Sequence, residues 1–253
     1  MDPADVTAVI LTRDEERNLP RALSSLPRGM PVLVIDAAST DGTVAFARAY
    51  GARVFERSWT NFVEARRFAI ANVETPWLLQ LDADEEIDDR LRDALQSARE
   101  DVDGYTVSRS TYFCGTPMRM WRGERLLRLV RTSCARIEAR PTAGGDAPLH
   151  ERVTCTGTVA DLGGTLLHYS YESSGEYRER FARYTDIEAR GLSRSPIRAL
   201  VASFMVIPHA ANNLLRRGAL LDGPRGWFVA WFSALYPAVV AWKAILRQAQ
   251  DDT

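Results

Sequence analysis

The chain has 253 residues, 46% of them hydrophobic and 26% charged, which suits one large globular domain or a domain with an appendage and excludes disorder. A formal net charge of −1 and an isoelectric point near 6.3 argue against general nucleic-acid binding. Lys243 is the only lysine, no GxxxxGK[ST] loop or GxSxG elbow occurs, and Schiff-base chemistry would have to use that one remote residue.

The N-terminus, "MDPADVTAVILT", has a short apolar run and no basic leader, so it is expected to be a strand rather than a signal peptide. From Val6 to Asp103, short β-branched runs alternate with helical stretches, the pattern of a parallel sheet covered by helices. Strands are predicted at Val6 to Thr12, Val32 to Asp36, Ala52 to Phe55 and Trp77 to Leu81. Helices are predicted around Glu15 to Leu26, at Thr43 to Tyr50 with Gly51 as its stop, and in "NFVEARRFAIANV", where Phe62, Ala65, Ala69 and Val73 recur at helical spacing. After Asp103 come the strand-like pieces "GYTVSRSTYF", "RLLRLVR" and "GTLLHYSY", with the Gly/Pro-rich stretch "ARPTAGGDAPLHE" between the last two. From about Ser174 the chain turns helical. Cys114, Cys134 and Cys155 are odd in number and lack CxxC-type spacing, so neither a disulfide framework nor a zinc site is predicted, and a reducing cytosol fits.

The stretch "LLQLDADEE" runs an apolar strand into a cluster of acids. Continued strand alternation would put Asp82 and Asp84 on one side with Ala83 pointing away. Two like charges so close need a proton or a cation between them, and hard oxygen ligands suit Mg2+ or Mn2+. The competing reading makes Asp84, Glu85, Glu86, Asp88 and Asp89 the solvated start of the next helix. In open parallel sheets ligands gather beyond the carboxyl ends of the strands, where Thr12, Asp36 and the Asp82/Asp84 pair all fall. That shared rim favours the metal reading.

The segments "VTAVILTRDEERNLPRALSSL", "VLVIDAASTDGT", "GARVFERSW", "LLQLDADEE" and "LLHYSY", in this order, resemble a bacterial family 2 glycosyltransferase with the GT-A fold. More closely, the chain resembles the lipopolysaccharide core β-1,4-glucosyltransferase group, a similarity that extends to "GALLDGPRGW". The resemblance implies a Rossmann-like, mainly parallel sheet with flanking helices. A glycosyltransferase domain is expected over residues 1–173, its nucleotide-sugar half at 1–103 and its acceptor half at 104–173, followed by a helical membrane-associated region at 174–253.

It also implies roles. Asp36 matches an acid that accepts a hydrogen bond from uracil, with a turn cap as the alternative; Thr12 and Asp14 line the nucleoside pocket, and Arg66 faces the nucleotide, although Arg67 stands where relatives carry asparagine. Asp84 would bind the metal and Asp82 the ribose or a metal-bound water, with His168 brought to the metal or diphosphate. An inverting transfer needs a base, for which Glu151 is the first candidate and Glu124 the second; His150 would orient the acceptor or meet phosphate charge. The implied reaction moves a hexose such as glucose from a UDP-sugar to a lipid-linked or lipopolysaccharide-core acceptor. The alternatives are a non-catalytic or regulatory membrane-associated nucleotide-sugar-binding protein, and a metal-dependent nucleotidyltransferase or phosphatase.

The tail from Ile197 to Arg247 is apolar, aromatic and basic. Its uncharged run, Trp227 to Trp242, is shorter than the ~20 residues of a spanning helix and contains Pro237. Trp227, Trp231 and Leu235, with Arg198, Arg216, Arg217, Arg225, Lys243 and Arg247, predict an in-plane or re-entrant hairpin on anionic lipid at the cytoplasmic face of the inner membrane. An oligomer contact or a core-packing helix pair is the competing reading.

Overall fold

A computed structural model of the chain describes residues 1–59, 61–139 and 151–251, excepting the side chains of 139, 151 and 248–251. Among the described residues the chain forms two compact units. The first comprises Met1–Ser110, residues 123–139 and residues 151–168; the second comprises Thr111–Arg122 and the residues from Tyr169 onward.

The first unit is organised by strand β1 (Val6–Thr12), every residue of which is buried. It pairs in parallel with β2 (Val32–Asp36) on one side and β4 (Trp77–Asp82) on the other, and β3 (Arg53–Glu56) lies beyond β2. Burial of both faces explains the unbroken Val/Ile/Leu character of β1 and β2. The sheet reverses direction of winding between β1 and β4, which opens a crevice at their carboxyl ends. Beyond β4 it continues with β8 (Glu124–Arg131), β6 (Gly104–Phe113), β11 (Val159–Tyr171) and β5 (Glu85–Ile87), with the two-residue β7 (Thr116–Pro117) on β6.

Helices α1 (Leu19–Ser25) and α2 (Thr43–Tyr50) and, further on, α3 (Phe62–Ala71) and α4 (Asp89–Gln96) flank these strands. One apolar cluster joins Leu19, Leu23 and Leu91 to one face of the sheet, and a second joins Val63, Ala65 and Ala69 to the other. Asn61 caps α3 by accepting from Glu64 N (2.9 Å), and Asp88 caps α4 by accepting from Leu91 N (2.7 Å). Gly51 ends α2 at φ 98°, a left-handed stop that glycine adopts without a Cβ penalty.

Several expectations are corrected. The first helix begins at Leu19 rather than Glu15, because Pro20 fits only the opening turn and residues 15–18 form a separate turn closed by Leu19 N donating to Glu15 O (2.9 Å). On α3 the buried face is Val63, Ala65, Arg66 and Ala69, and Phe62 is exposed. The stretch read as a loop is flanked by a hairpin, β9 (Ala135–Ala139) with β10 (Glu151–Cys155), whose connecting residues 140–150 lie outside the described ones.

The second unit holds the C-terminal helices α5 (Ser174–Gly191), α6 (Pro196–Phe204), α7 (Val206–Leu215) and α8 (Gly223–Asp251). Its core is aromatic: Phe113, Tyr177, Phe181, Phe228 and Phe232 pack together, with Phe113 stacked on Phe228 at 5.6 Å. Pro237 does not interrupt the last helix. Helix α8 runs 29 residues through it, and the stretch Ala219–Arg247 is long and apolar enough to cross a membrane, with an 18-residue window of mean hydropathy 1.5 that is 39% buried within the protein. Lys243 is not a free surface cation either: its Nζ reaches Asp186 (2.8 Å), Thr185 Oγ1 (2.9 Å) and Ala182 O (3.1 Å) on α5.

Candidate active site

Thr12 and Asp36 are Cα partners at the ends of β1 and β2, and Asp82 pairs with Leu11 at the end of β4, so the three predicted residues share one rim. Asp36 has no exposed surface. Its Oδ1 accepts from Thr12 Oγ1 (2.8 Å) and Ser39 Oγ (2.5 Å), and its Oδ2 accepts from Ser39 N (2.8 Å). This is the turn-cap arrangement that stood as the alternative for Asp36. Asp14, at φ 54°, is exposed and laces the first loop to the second: its N donates to Ser39 Oγ (2.8 Å) and its Oδ1 accepts from Thr40 N (2.8 Å). Glu16 completes the lacing through Gly42 N (2.7 Å), where any Cβ would lie 2.8 Å from the Glu16 carboxylate.

The Asp82/Asp84 pair departs from simple alternation. Strand β4 ends at Asp82 and Ala83–Asp84 form a turn, and the two carboxylates take different partners. Asp82 accepts from two guanidiniums, Arg66 Nη2 at 2.6 Å and Arg128 Nη2 at 2.9 Å. Arg66 is therefore held beneath Asp82 with 6% of its side chain exposed, while Arg67 donates to Ile137 O (3.3 Å). Asp84 instead meets His168, with Oδ2 and Nε2 3.3 Å apart. His168 is placed there because β11 pairs antiparallel with β5, His168 opposite Glu85. Gly164 permits that course: at φ 87° it passes so close to α4 that a Cβ would lie 2.2 Å from Leu91 N.

Glu85, Arg128 and Arg109, which sequence reasoning did not place here, complete this centre. Glu85, which the competing reading put at a solvated helix start, is fully buried: it accepts from Arg128 (2.6 Å) and Asp82 N (3.1 Å) and lies 3.5 Å from Arg109. Asp88 and Asp89 do belong to the start of α4. Arg128 is buried because β8 bulges there: pairing steps from Tyr105 opposite Leu129 to Thr106 opposite Leu127, which leaves Arg128 as the extra residue. The signal in the sequence was an arginine inside the apolar run "LLRLV", which demands a buried acid. Burial opposes ionisation of Asp82, yet Arg128 and Arg66 hold its carboxyl well below the usual range; burial pushes Glu85 up against the pull of Arg128.

As for a cation, both Asp82 oxygens are occupied by guanidiniums, and among the described residues no group of three His, Cys, Asp or Glu side chains is arranged to hold a metal. Asp84 and His168 offer one oxygen and one nitrogen donor. That set fits an ion such as Mg2+ or Mn2+, which is bound through one or two carboxylates with the remaining positions left to phosphate and water. Of the candidate bases, Glu124 has one oxygen held by Arg109 Nε (3.0 Å) and Nη2 (2.7 Å). Glu151 opens β10 opposite Ala139, and its side chain, like the whole of His150, lies outside the described residues.

The model of glycosyl transferase family 2 matches residues 7–151, which contain this rim and the acidic turn. The chain belongs to glycosyl transferase family 2. It is 27% identical over 258 aligned residues to the lipopolysaccharide core biosynthesis glycosyltransferase LpsC of Rhizobium meliloti (strain 1021), covering 96% of this chain and 93% of that one. An uncharacterized glycosyltransferase of Rickettsia felis is 36% identical over 92 residues, 36% of this chain and 32% of that protein. Among solved structures, the mannosyltransferase PcManGT of Pyrobaculum calidifontis, in complex with GDP-Man and Mn2+, superposes with a TM-score of 0.50 at 16% identity, covering 98% of this chain and 89% of that one. The shared architecture is the GT-A fold. The protein is thus a family 2 glycosyltransferase, which sets aside the nucleotidyltransferase and phosphatase readings.

Proposed function

We propose that this family 2 enzyme is an inverting transferase that moves a hexose, such as glucose, from a UDP-sugar to a lipid-linked saccharide or lipopolysaccharide-core acceptor, with Mg2+ or Mn2+. The observation that carries this is the divided Asp82–Ala83–Asp84 turn at the sheet's crevice: one acid is satisfied by guanidiniums and the other stands beside His168. Asp84 and His168 would hold the ion, which when bound screens the charge of a departing diphosphate.

The chain's own residues do the rest. Arg128 and Arg66 fix Asp82 at the crevice, where it meets the ribose. The cross-laced loops of Asp14, Ser39 and Thr40 wall the nucleoside pocket, and Asp36 anchors them; Asp36 has no exposed surface, so a direct bond to uracil requires the loops around it to open. Glu151 removes the proton of the acceptor hydroxyl on the face opposite the leaving group.

The acceptor class rests on likeness to a relative named for lipopolysaccharide core biosynthesis. It is supported by the apolar surface of the second unit, which suits a cell-envelope enzyme. Ile197, Phe204, Ile207 and Leu215 on α6 and α7 are each more than 70% exposed. Arg216, Arg217 and Arg225, close to them in sequence, make no ion pair among the described residues. Exposed apolar side chains with unpaired cations fit the anionic cytoplasmic face of the inner membrane.

A screen of UDP-hexoses with Mn2+ and a lipid or truncated lipopolysaccharide extract, read by mass spectrometry, tests the reaction. A product heavier than its acceptor by one hexose, with free UDP, is expected. Release of GDP from GDP-sugars but never UDP from UDP-sugars would contradict the donor assignment.

A further inference from the structure

Two cysteines outside the active site meet at the open end of the β9–β10 hairpin. Cys134 immediately precedes β9 and Cys155 ends β10 opposite Ala135, and their sulfurs lie 2.7 Å apart although the residues are 21 apart in sequence. Both are half-buried and point to one acceptor, the Asp103 carbonyl, at 3.5 and 3.6 Å. Cys114 belongs to the other unit. A disulfide needs sulfurs ~2.05 Å apart, so closing the bond requires a shift of only about 0.7 Å. Ordered strands on both sides of the hairpin already hold the pair together.

We propose that Cys134 and Cys155 form a redox-active dithiol that closes to a reversible disulfide when a low-molecular-weight disulfide is the oxidant. One S–S bond forms and two S–H bonds break. The two protons and two electrons pass to the oxidant, whose own S–S bond breaks to give two thiols. The pair is asymmetric. Cys155 Sγ accepts from Gly157 N (3.4 Å). Burial and the adjacent Cys155 sulfur push the Cys134 thiol up to about 12, which keeps it protonated. Cys155 therefore attacks the oxidant first, and Cys134 resolves the mixed disulfide. In a reducing cytosol the pair stays a dithiol, and its closure reports oxidation.

Full-length protein equilibrated with oxidised glutathione under native conditions tests this. Free thiols should fall from three to one, and a non-reducing digest should link the peptides containing Cys134 and Cys155. The melting temperature should rise by roughly 5–10 °C, and dithiothreitol should reverse all three changes. Cys134→Ser should accumulate a glutathione adduct on Cys155, and Cys114→Ser should still form the link. Three thiols that persist, adducts without a linked peptide, or a link accompanied by a lower melting temperature would each overturn the native dithiol.

Discussion

Asp82 and Asp84 sit two residues apart and answer to different forces. Asp82 is the carboxylate shared by two buried guanidiniums, so Asp82→Asn removes it from Arg66 and leaves Arg128 to Glu85, and should cost about 3 kcal/mol of stability, measured by denaturant unfolding. Asp84 makes its ion pair among the described residues with His168, so Asp84→Asn should leave stability nearly unchanged while removing the metal response. The Asp82 carboxyl is lowered in the folded state by Arg128 and Arg66 against burial, so its contribution is fully present above the unfolded value of ~3.9 and fades as pH falls below it. An acid-unfolding titration should therefore steepen below about pH 4 in wild type and flatten in Asp82→Asn. For the base, Glu151→Gln should keep UDP binding and lose most transfer, while Glu124→Gln, already tied to Arg109, should be milder. The reverse ranking in steady-state rates would move the base to Glu124.

At the scale of elements, the course of β11 is the feature most sensitive to one atom. Gly164→Ala combines a left-handed backbone with a Cβ driven into Leu91 N, and should destabilise by roughly 3 kcal/mol. Gly51→Ala has the same sign of φ with open space around it and should cost about 1 kcal/mol, so comparing their melting temperatures separates crowding from backbone strain. The parallel strands were legible because double burial leaves continuous apolar runs, and the order of motifs carried the family. The β9–β10 hairpin was not, because its strands "ARIEA" and "ERVTC" have weak alternation and are separated by Gly and Pro. The site was half legible. Thr12, Asp36, Asp82, Asp84 and His168 could be placed on elements, but Arg128 and Glu85 depend on a bulge and on a cross-sheet pairing that no local pattern announces.

For the whole molecule, the apolar surface of the second unit predicts attachment separable from chemistry. Replacing Phe204 and Ile207, both largely exposed, by glutamate should cost little folding stability, abolish sedimentation with anionic vesicles and leave UDP affinity unchanged. Unaltered vesicle binding with a change in oligomeric mass would assign the face to self-association. The central claim, that Asp84 beside His168 is the metal site of a nucleotide-sugar transferase, is tested most directly by calorimetry of UDP with and without Mn2+ on wild type and Asp84→Asn. Wild type should bind UDP only with the ion, and the variant should not regain binding at any Mn2+ concentration that saturates wild type. A variant that binds UDP as tightly as wild type, with the same dependence on Mn2+, would contradict it.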